Sequence, residues 1–165
     1  MQYDLGYLRI FSAFYQTQTK AQTKTALHCE TIVIKAMKKA WQGAALGTAS
    51  TERAFVVIKD KEGEISVDTA PFTNQNKQVT WKPKVPAGGK IIAIFHTHPN
   101  SGGENPSTPE NSIQGKEASD TKTADALGIP IYVISSRGLT MYDPATKQNT
   151  KLRNNTEWQK SCKDG

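Results

Sequence analysis

The sequence predicts an α+β domain with a mixed, mostly antiparallel sheet flanked by helices, and three observations carry that expectation. Apolar residues recur at helical spacing in a long segment, Ala26 to Ala45, and helical signals return in a short one, Lys116 to Leu127. Between and after these lie short β-branched and aromatic runs bounded by Gly, Pro, Asn and Asp turn signals. The order that results is helix, strand pair, strand, helix, strand pair, which keeps paired strands together and lays helices on the sheet.

Met1 to Lys24 combines an apolar opening (Leu5, Leu8, Ile10, Phe11, Phe14) with an aperiodic Gln/Thr/Lys run, and reads as a short helix and a linker. Residues 1–25 are therefore an N-terminal extension, 26–147 the domain, and 148–165 a polar, peripheral tail. In the long helix Val33, Met37, Ala40, Trp41 and Ala44 share a face, and Gly43 and Gly47 punctuate its far end. Ala54 to Ile58 reads as a buried strand, Lys61 to Glu64 as a hairpin turn, and Ile65 to Val67 as the return. Thr73 to Lys84 is a polar loop with an edge strand at Gln78 to Trp81. Pro86-Ala87-Gly88-Gly89 turns into the strand Ile91 to His98, and Asn100 to Gln114 is a long exposed loop. In the short helix Asp120, Ala124 and Leu127 share a face and Gly128 fits the left-handed cap. Ile131 to Ile134 and Leu139 to Tyr142 form the last strand pair, turning at Ser136-Arg137-Gly138 and closing at Asp143-Pro144.

A chain of 165 residues buries a core without help from metal or disulfides, so a bound metal would serve function rather than folding. The apolar fraction of 36% and mean hydropathy of −0.57 reflect the Thr-, Gln- and Asn-rich ends and loops. A net charge of +6 favours anionic surroundings, yet the lysines are scattered in no long block, which argues against a nucleic-acid partner. No segment reaches the roughly twenty apolar residues of a membrane span, and Met1-Gln2-Tyr3-Asp4 does not open a signal peptide. The chain reads as soluble, with a leader removed earlier leaving no trace. Cys29 and Cys162 show no zinc-type spacing. They read as a buried thiol on a helix and an exposed thiol in the tail, with a terminal disulfide as the alternative. His28-Cys29-Glu30 invites a cysteine-protease reading, but helix neighbours do not face each other and the adjacency has no geometric meaning.

The chemistry concentrates in Ile91-Ile92-Ala93-Ile94-Phe95-His96-Thr97-His98-Pro99. Strand alternation sends His96 and His98 to one face, and Pro99 ends the strand, so two imidazoles converge at a loop mouth. Catalytic zinc takes three protein ligands and leaves a fourth position open. Asp120, heading a short helix whose first turn points back over the strand ends, is the third ligand. Glu117 is its chief rival, ahead of Glu104, Glu110 and Asp125. Hydrolysis also needs a non-ligand base, and Glu52, beside a strand neighbouring the histidines, is best placed.

Glu52, the His96-x-His98-Pro99 run and Asp120 before a short helix together resemble the JAB/MPN (JAMM) metalloprotease superfamily, over roughly Ala26 to Pro144. The stretch Ala118 to Val133, then Gly138 and Tyr142-Asp143-Pro144, is similar to small bacterial JAB-like domains of secreted and toxin-associated proteins. The resemblance implies a JAB/MPN-like, cytidine-deaminase-like sheet and a Zn2+-dependent hydrolase of peptide or isopeptide bonds. His96, His98 and Asp120 would be its metal ligands and Glu52 its proton carrier. It also implies a substrate such as a ubiquitin-like tail or a cell-wall peptide cross-link, bacterial secretion or delivery, and an immunity protein as partner. The family's oxyanion-stabilising serine lies three residues before the Asp, where this chain has Glu117. Ser119 is the nearest substitute, with Ser112 and Ser107 as others. A non-catalytic, partner-binding domain of the same type, with metal absent or inert, is the alternative that Glu117 favours.

Overall fold

A computed structural model of the chain describes residues 26–71, 81–112 and 119–162. The helix and linker expected over 1–25, the expected edge strand at 78–81 apart from Trp81, and Glu117 lie outside the described residues. The described chain is α+β: a mixed six-stranded sheet with a helix on each face.

Helix α1 (Thr31–Gly43) buries Val33, Ile34, Met37, Ala40 and Trp41, an i, i+1, i+4, i+7, i+8 stripe that turns one helix face to the sheet. A 3-10 turn, Leu27–Cys29, precedes it in place of the first helical turns expected from Ala26. Strands β1 (Ala54–Lys59) and β2 (Ile65–Thr69) form an antiparallel hairpin whose turn is fixed by Asp60 Oδ1 accepting from Glu64 N at 2.8 Å. Strand β3 (Lys90–Thr97) pairs antiparallel with β1 and parallel with β4 (Ile131–Ser135). A parallel neighbour needs a crossover, and the 98–130 connection supplies it with helix α2 (Asp120–Leu127) on the opposite face from α1. Gly128 closes α2 in the left-handed conformation expected of it, φ 65°. Strands β5 (Gly138–Asp143) and β6 (Gln148–Asn154) complete the order β2-β1-β3-β4-β5-β6, in which β3 and β4 are the parallel pair.

Alternation along the central strands divides the core into two layers. Under α1, Phe55, Phe95 and Tyr132 lie level across β1, β3 and β4 and stack in parallel, with centroids 4.8 and 4.2 Å apart. Under α2, Ala54, Val56, Ile58, Ile94, Ile131 and Tyr142 meet Ala124.

Two expectations for the chain ends are corrected. The tail beyond Lys147 is not peripheral: Gln148–Asn154 is the edge strand β6, and Trp158, in the 3-10 turn Glu157–Gln159, is buried. Trp158 packs edge-on to Trp41 at 6.0 Å and donates from Nε1 to the Ser135 carbonyl at 3.2 Å. The cysteines are not free thiols. The returning tail sets Cys162 beside Cys29 and the two form a disulfide, Cα to Cα 5.5 Å, across 133 residues of sequence. Closing a loop of that order removes about 4 to 5 kcal/mol of denatured-chain entropy in the loop-closure account.

Candidate metal centre

The site sits at the carboxyl ends of the parallel pair β3 and β4, where the crossover connection begins. His96 is the penultimate residue of β3, on the α2 face, and is 1% exposed. The ladder continues past the strand: His98 N donates to the Ile134 carbonyl at 2.9 Å. That bond keeps the two-residue alternation and brings both imidazoles to one side, with His96 Nε2 and His98 Nε2 3.0 Å apart.

Asp120 arrives from the other element. It opens α2, and its Oδ2 lies 3.4 Å from His96 Nε2 and 3.9 Å from His98 Nε2. The ligand atoms of His96, His98 and Asp120 all fall within 4.8 Å of one another and could hold a metal ion. The spacing fits one ion: tetrahedral bonds of about 2.0 to 2.1 Å to nitrogen and oxygen place donors about 3.3 Å apart. The three separations, 3.0, 3.4 and 3.9 Å, bracket that value.

Orientation agrees with spacing. His98 Nδ1 lies 2.7 Å from the Gly103 carbonyl, which can only accept, so Nδ1 carries the proton and the Nε2 lone pair of the neutral ring faces the cluster. The loop that supplies this carbonyl is itself held. Gly102 N donates to the Pro99 carbonyl at 2.8 Å, and Arg137 Nη2 donates to the carbonyls of Asn100 and Gly102 at 3.3 and 3.2 Å. From the α1 side, Asn100 N donates to the Gly47 carbonyl at 2.8 Å and its Nδ2 to the Leu46 carbonyl at 3.3 Å. Gly47 is left-handed, φ 81°, and a Cβ there would collide with the Asn100 side chain, so the approach needs glycine. His96 Nδ1 has no partner among the described residues.

Ser107 fixes the carboxylate. Its backbone N and its Oγ each donate to Asp120 Oδ2 at 2.8 Å, and Asp120 N returns a bond to Ser107 Oγ at 3.0 Å. The Ser107 carbonyl accepts from Thr121 N at 3.1 Å. One residue thus satisfies two of the orphan N–H groups at the start of α2 and pins the acid that faces the histidines. Ser119 is fully buried at the N-cap of the same helix, where its Oγ accepts from Lys122 N at 3.4 Å.

The charges are coupled. Burial opposes ionisation of Asp120, but the fields of His96 and His98 and the Ser107 N–H outweigh it and hold the carboxyl well below the usual range. Burial likewise pulls His96 down, yet the Asp120 charge, aided by Glu52, leaves it raised. His98 is pushed down to about 4, first by burial and then by His96. A carboxylate beside one neutral imidazole and one whose proton a cation can displace is a donor set suited to a divalent ion.

Glu52 is near this cluster. Ala54 pairs with His96; Arg53 N donates to Thr97 Oγ1, and Thr97 N to the Arg53 carbonyl, each at 2.9 Å. Glu52 lies two residues before the Ala54–His96 pair, and its charge acts on His96. Two rival carboxylates are engaged elsewhere. Glu104 pairs with Lys151 at 3.0 Å, and Asp125 accepts from Tyr142 at 3.0 Å and meets Lys147 at 2.7 Å. Glu110 is exposed in the 98–119 connection. No residue spacing announces the Ser107 clamp, the Gly103 carbonyl or the Arg137 tie, because each joins loop segments by backbone geometry. No protein-family model matches the chain, and no curated protein sequence matches it.

Proposed function

We propose that the chain is a zinc-dependent hydrolase of peptide or isopeptide bonds of JAB/MPN type, with His96, His98 and Asp120 as metal ligands and Glu52 as general base. The observation that carries this reading is the donor triangle of 3.0, 3.4 and 3.9 Å built from two histidines and one carboxylate. Two imidazoles and an acid are the preferred donors of catalytic zinc outside thiolate sites, and three protein ligands leave a position open. His96, His98 and Asp120 would hold the zinc, which when bound would supply Lewis acidity toward an amide carbonyl and lower the pKa of water to about 7.

The protein's own residues do the rest. Glu52, whose charge acts on His96, accepts a proton from the attacking water and delivers it to the departing amine. Ser107 keeps Asp120 ionised and aimed at the histidines. Arg137 and Asn100 hold the loop whose Gly103 carbonyl sets the His98 tautomer. The substrate is an extended peptide or isopeptide, such as a ubiquitin-like tail or a cell-wall peptide, the latter suiting a protein of charge +6 near anionic polymer. The Cys29–Cys162 disulfide is in keeping with a chain matured in oxidising surroundings. Among the described residues no helix is long and apolar enough to cross a membrane.

The second reading, a partner-binding domain with an inert or absent ion, has its own support. The Ser119 oxygen caps α2 and the Ser107 hydroxyl bonds Asp120, so both serines nearest the acid are engaged in holding the helix. Elemental analysis of the purified protein and of a His96→Ala, His98→Ala variant separates the readings. About one zinc per chain, lost in the variant, is expected; zinc-loaded protein then cleaves peptide or isopeptide substrates, and Glu52→Gln keeps zinc while losing about 10²- to 10⁴-fold in rate. Failure to take up zinc overturns the hydrolase. Zinc uptake with no cleavage leaves the binding domain.

A further inference from the structure

The structure holds a second group of metal donors, away from the first. His28, Cys29 and Cys162 are each half-buried, and one ligand atom from each lies within 4.8 Å of the others. We propose that reduction of the Cys29–Cys162 disulfide converts this seam into a Cys2His site for a thiophilic divalent ion of the zinc class.

The backbone on both sides of the disulfide is held by bonds that do not depend on it. On one side, Cys29 N donates to the Ala26 carbonyl at 2.7 Å and Glu30 N to the Leu27 carbonyl at 3.2 Å, fixing the 3-10 turn that carries His28 and Cys29. On the other, Trp158 is buried against Trp41 and bonded to Ser135, and β6 is laddered to β5, so the tail stays docked four residues before Cys162. With Cα atoms 5.5 Å apart, the freed sulfurs need only side-chain rotation to reach the separation of about 3.8 Å that two tetrahedral zinc–sulfur bonds of about 2.3 Å require.

The surroundings suit thiolates and a neutral imidazole. Arg153 Nη2 points at Cys29 Sγ, 4.0 Å away, a donor that stabilises a thiolate and can persist as an outer-shell N–H···S contact. His28, half-buried beside Cys29, offers an imidazole nitrogen within 4.8 Å of both sulfurs as the third donor. A neighbouring guanidinium repels a bare cation, but two thiolates cancel the charge of a divalent ion, so the loaded centre is neutral.

The step balances with a dithiol as reductant. Two electrons and two protons pass from the dithiol, which closes to its own disulfide, and the protein S–S bond becomes two thiols. The entering ion displaces both protons as it forms two metal–sulfur bonds. The switch therefore answers to passage from an oxidising to a reducing compartment, and it does not rest on the hydrolase reading.

Cobalt(II) is the probe. The intact chain is titrated anaerobically in its disulfide form and after reduction with a dithiol that is then removed, with circular dichroism recording the fold. The reduced protein is expected to bind one more equivalent than the oxidised protein and to develop a sulfur-to-cobalt charge-transfer band that the oxidised form lacks. His28→Ala is expected to weaken that uptake about tenfold or more while the band persists at high cobalt. The same experiment on the His96→Ala, His98→Ala variant gives one equivalent after reduction and none before. Equal uptake in both redox forms, an unchanged affinity in His28→Ala, or a reduced chain that unfolds and is not restored by the ion each overturn the proposal.

Discussion

Phe95 and His96 are neighbours in sequence and point to opposite faces of β3, and the two faces of this sheet are built for different ends. The α1 face is closed by a thirteen-residue helix over an aromatic row, Phe55, Phe95 and Tyr132, whose rings are stacked and buried. The α2 face carries an eight-residue helix, and beside its apolar patch it buries His96, Asp120 and Thr121. Burying such groups costs stability unless they are bonded, and here the bonding runs into one small cluster. One face secures the fold while the other spends part of that security on a charged site.

Substituting the neighbours one at a time tests the division most strongly. Phe95→Ala removes a fully buried ring and is expected to cost about 3 to 5 kcal/mol, read as a fall in unfolding midpoint that is equal in chelator and in zinc. His96→Ala is expected to abolish the difference between chelated and zinc-loaded protein instead. A Phe95→Ala protein whose zinc-dependent increment shrinks as much as its stability would break the two-face account.

The pH dependence of metal-free protein probes the cluster next, because no described residue of the α1 core cluster is charged and, outside the cluster, His28, whose pKa is lowered by burial and then by Arg153, adds only to the acid-side loss. His98 has its pKa depressed from about 6.5 to about 4, so its contribution is complete above 6.5 and is lost as pH falls to about 4. That window is worth on the order of 3 kcal/mol. Asp120, also depressed, adds to the acid loss below its ordinary range. His96 is raised, so its contribution is complete below 6.5 and is lost as pH climbs through its folded pKa. Melting temperature in chelator is therefore expected to peak near pH 6.5. Zinc, which needs both imidazoles deprotonated, should erase the alkaline decline. A flat profile in chelator from pH 4 to 9 would mean the cluster is not coupled as described.

Ser107→Ala sharpens the comparison within the α2 face. It removes the hydroxyl bond to Asp120 Oδ2 and the hydroxyl acceptor of Asp120 N, and leaves the Ser107 N–H in place. Zinc affinity is expected to drop about 10- to 100-fold by competition with a chromophoric chelator, with the aromatic circular dichroism of the α1 face unchanged. Unaltered affinity would mean the serine holds only the helix.

How much of this the sequence disclosed follows the same division. The α1 stripe was legible because a wide apolar face repeats at 3.6-residue spacing, and β1 to β5 because each carries apolar residues in a short run bounded by turns. The histidine pair and Asp120 could be singled out because strand alternation and a helix start are local rules. Strand β6 was hidden: Gln148 to Lys151 are exposed on an edge and only Leu152 and Arg153 are partly buried, a pattern that resembles loop. The disulfide stayed only an alternative to free thiols for the same reason, since nothing near Cys162 tells that Trp158 will dock on Trp41. Ser107 was named only as a stand-in for the family serine, and its hold on Asp120 escaped because the two meet across thirteen residues of sequence that no periodicity describes.

Glu104 gives the smallest expected effect and tests where the site ends. It lies one residue from Gly103, whose carbonyl orients His98, and sequence alone makes it a rival ligand. The structure instead pairs it with Lys151 of β6 at 3.0 Å, both side chains about a third or more exposed. Exposed pairs of this kind contribute about 0 to 1 kcal/mol, reduced further by salt. Glu104→Gln should therefore shift the unfolding midpoint little and leave zinc content and affinity unchanged, whereas Asp120→Asn should lose the metal. If Glu104→Gln lowers zinc affinity about tenfold or more, the 98–107 loop closes over the ion and the ligand set extends beyond the α2 face; if it does not, the loop serves the site through its backbone alone.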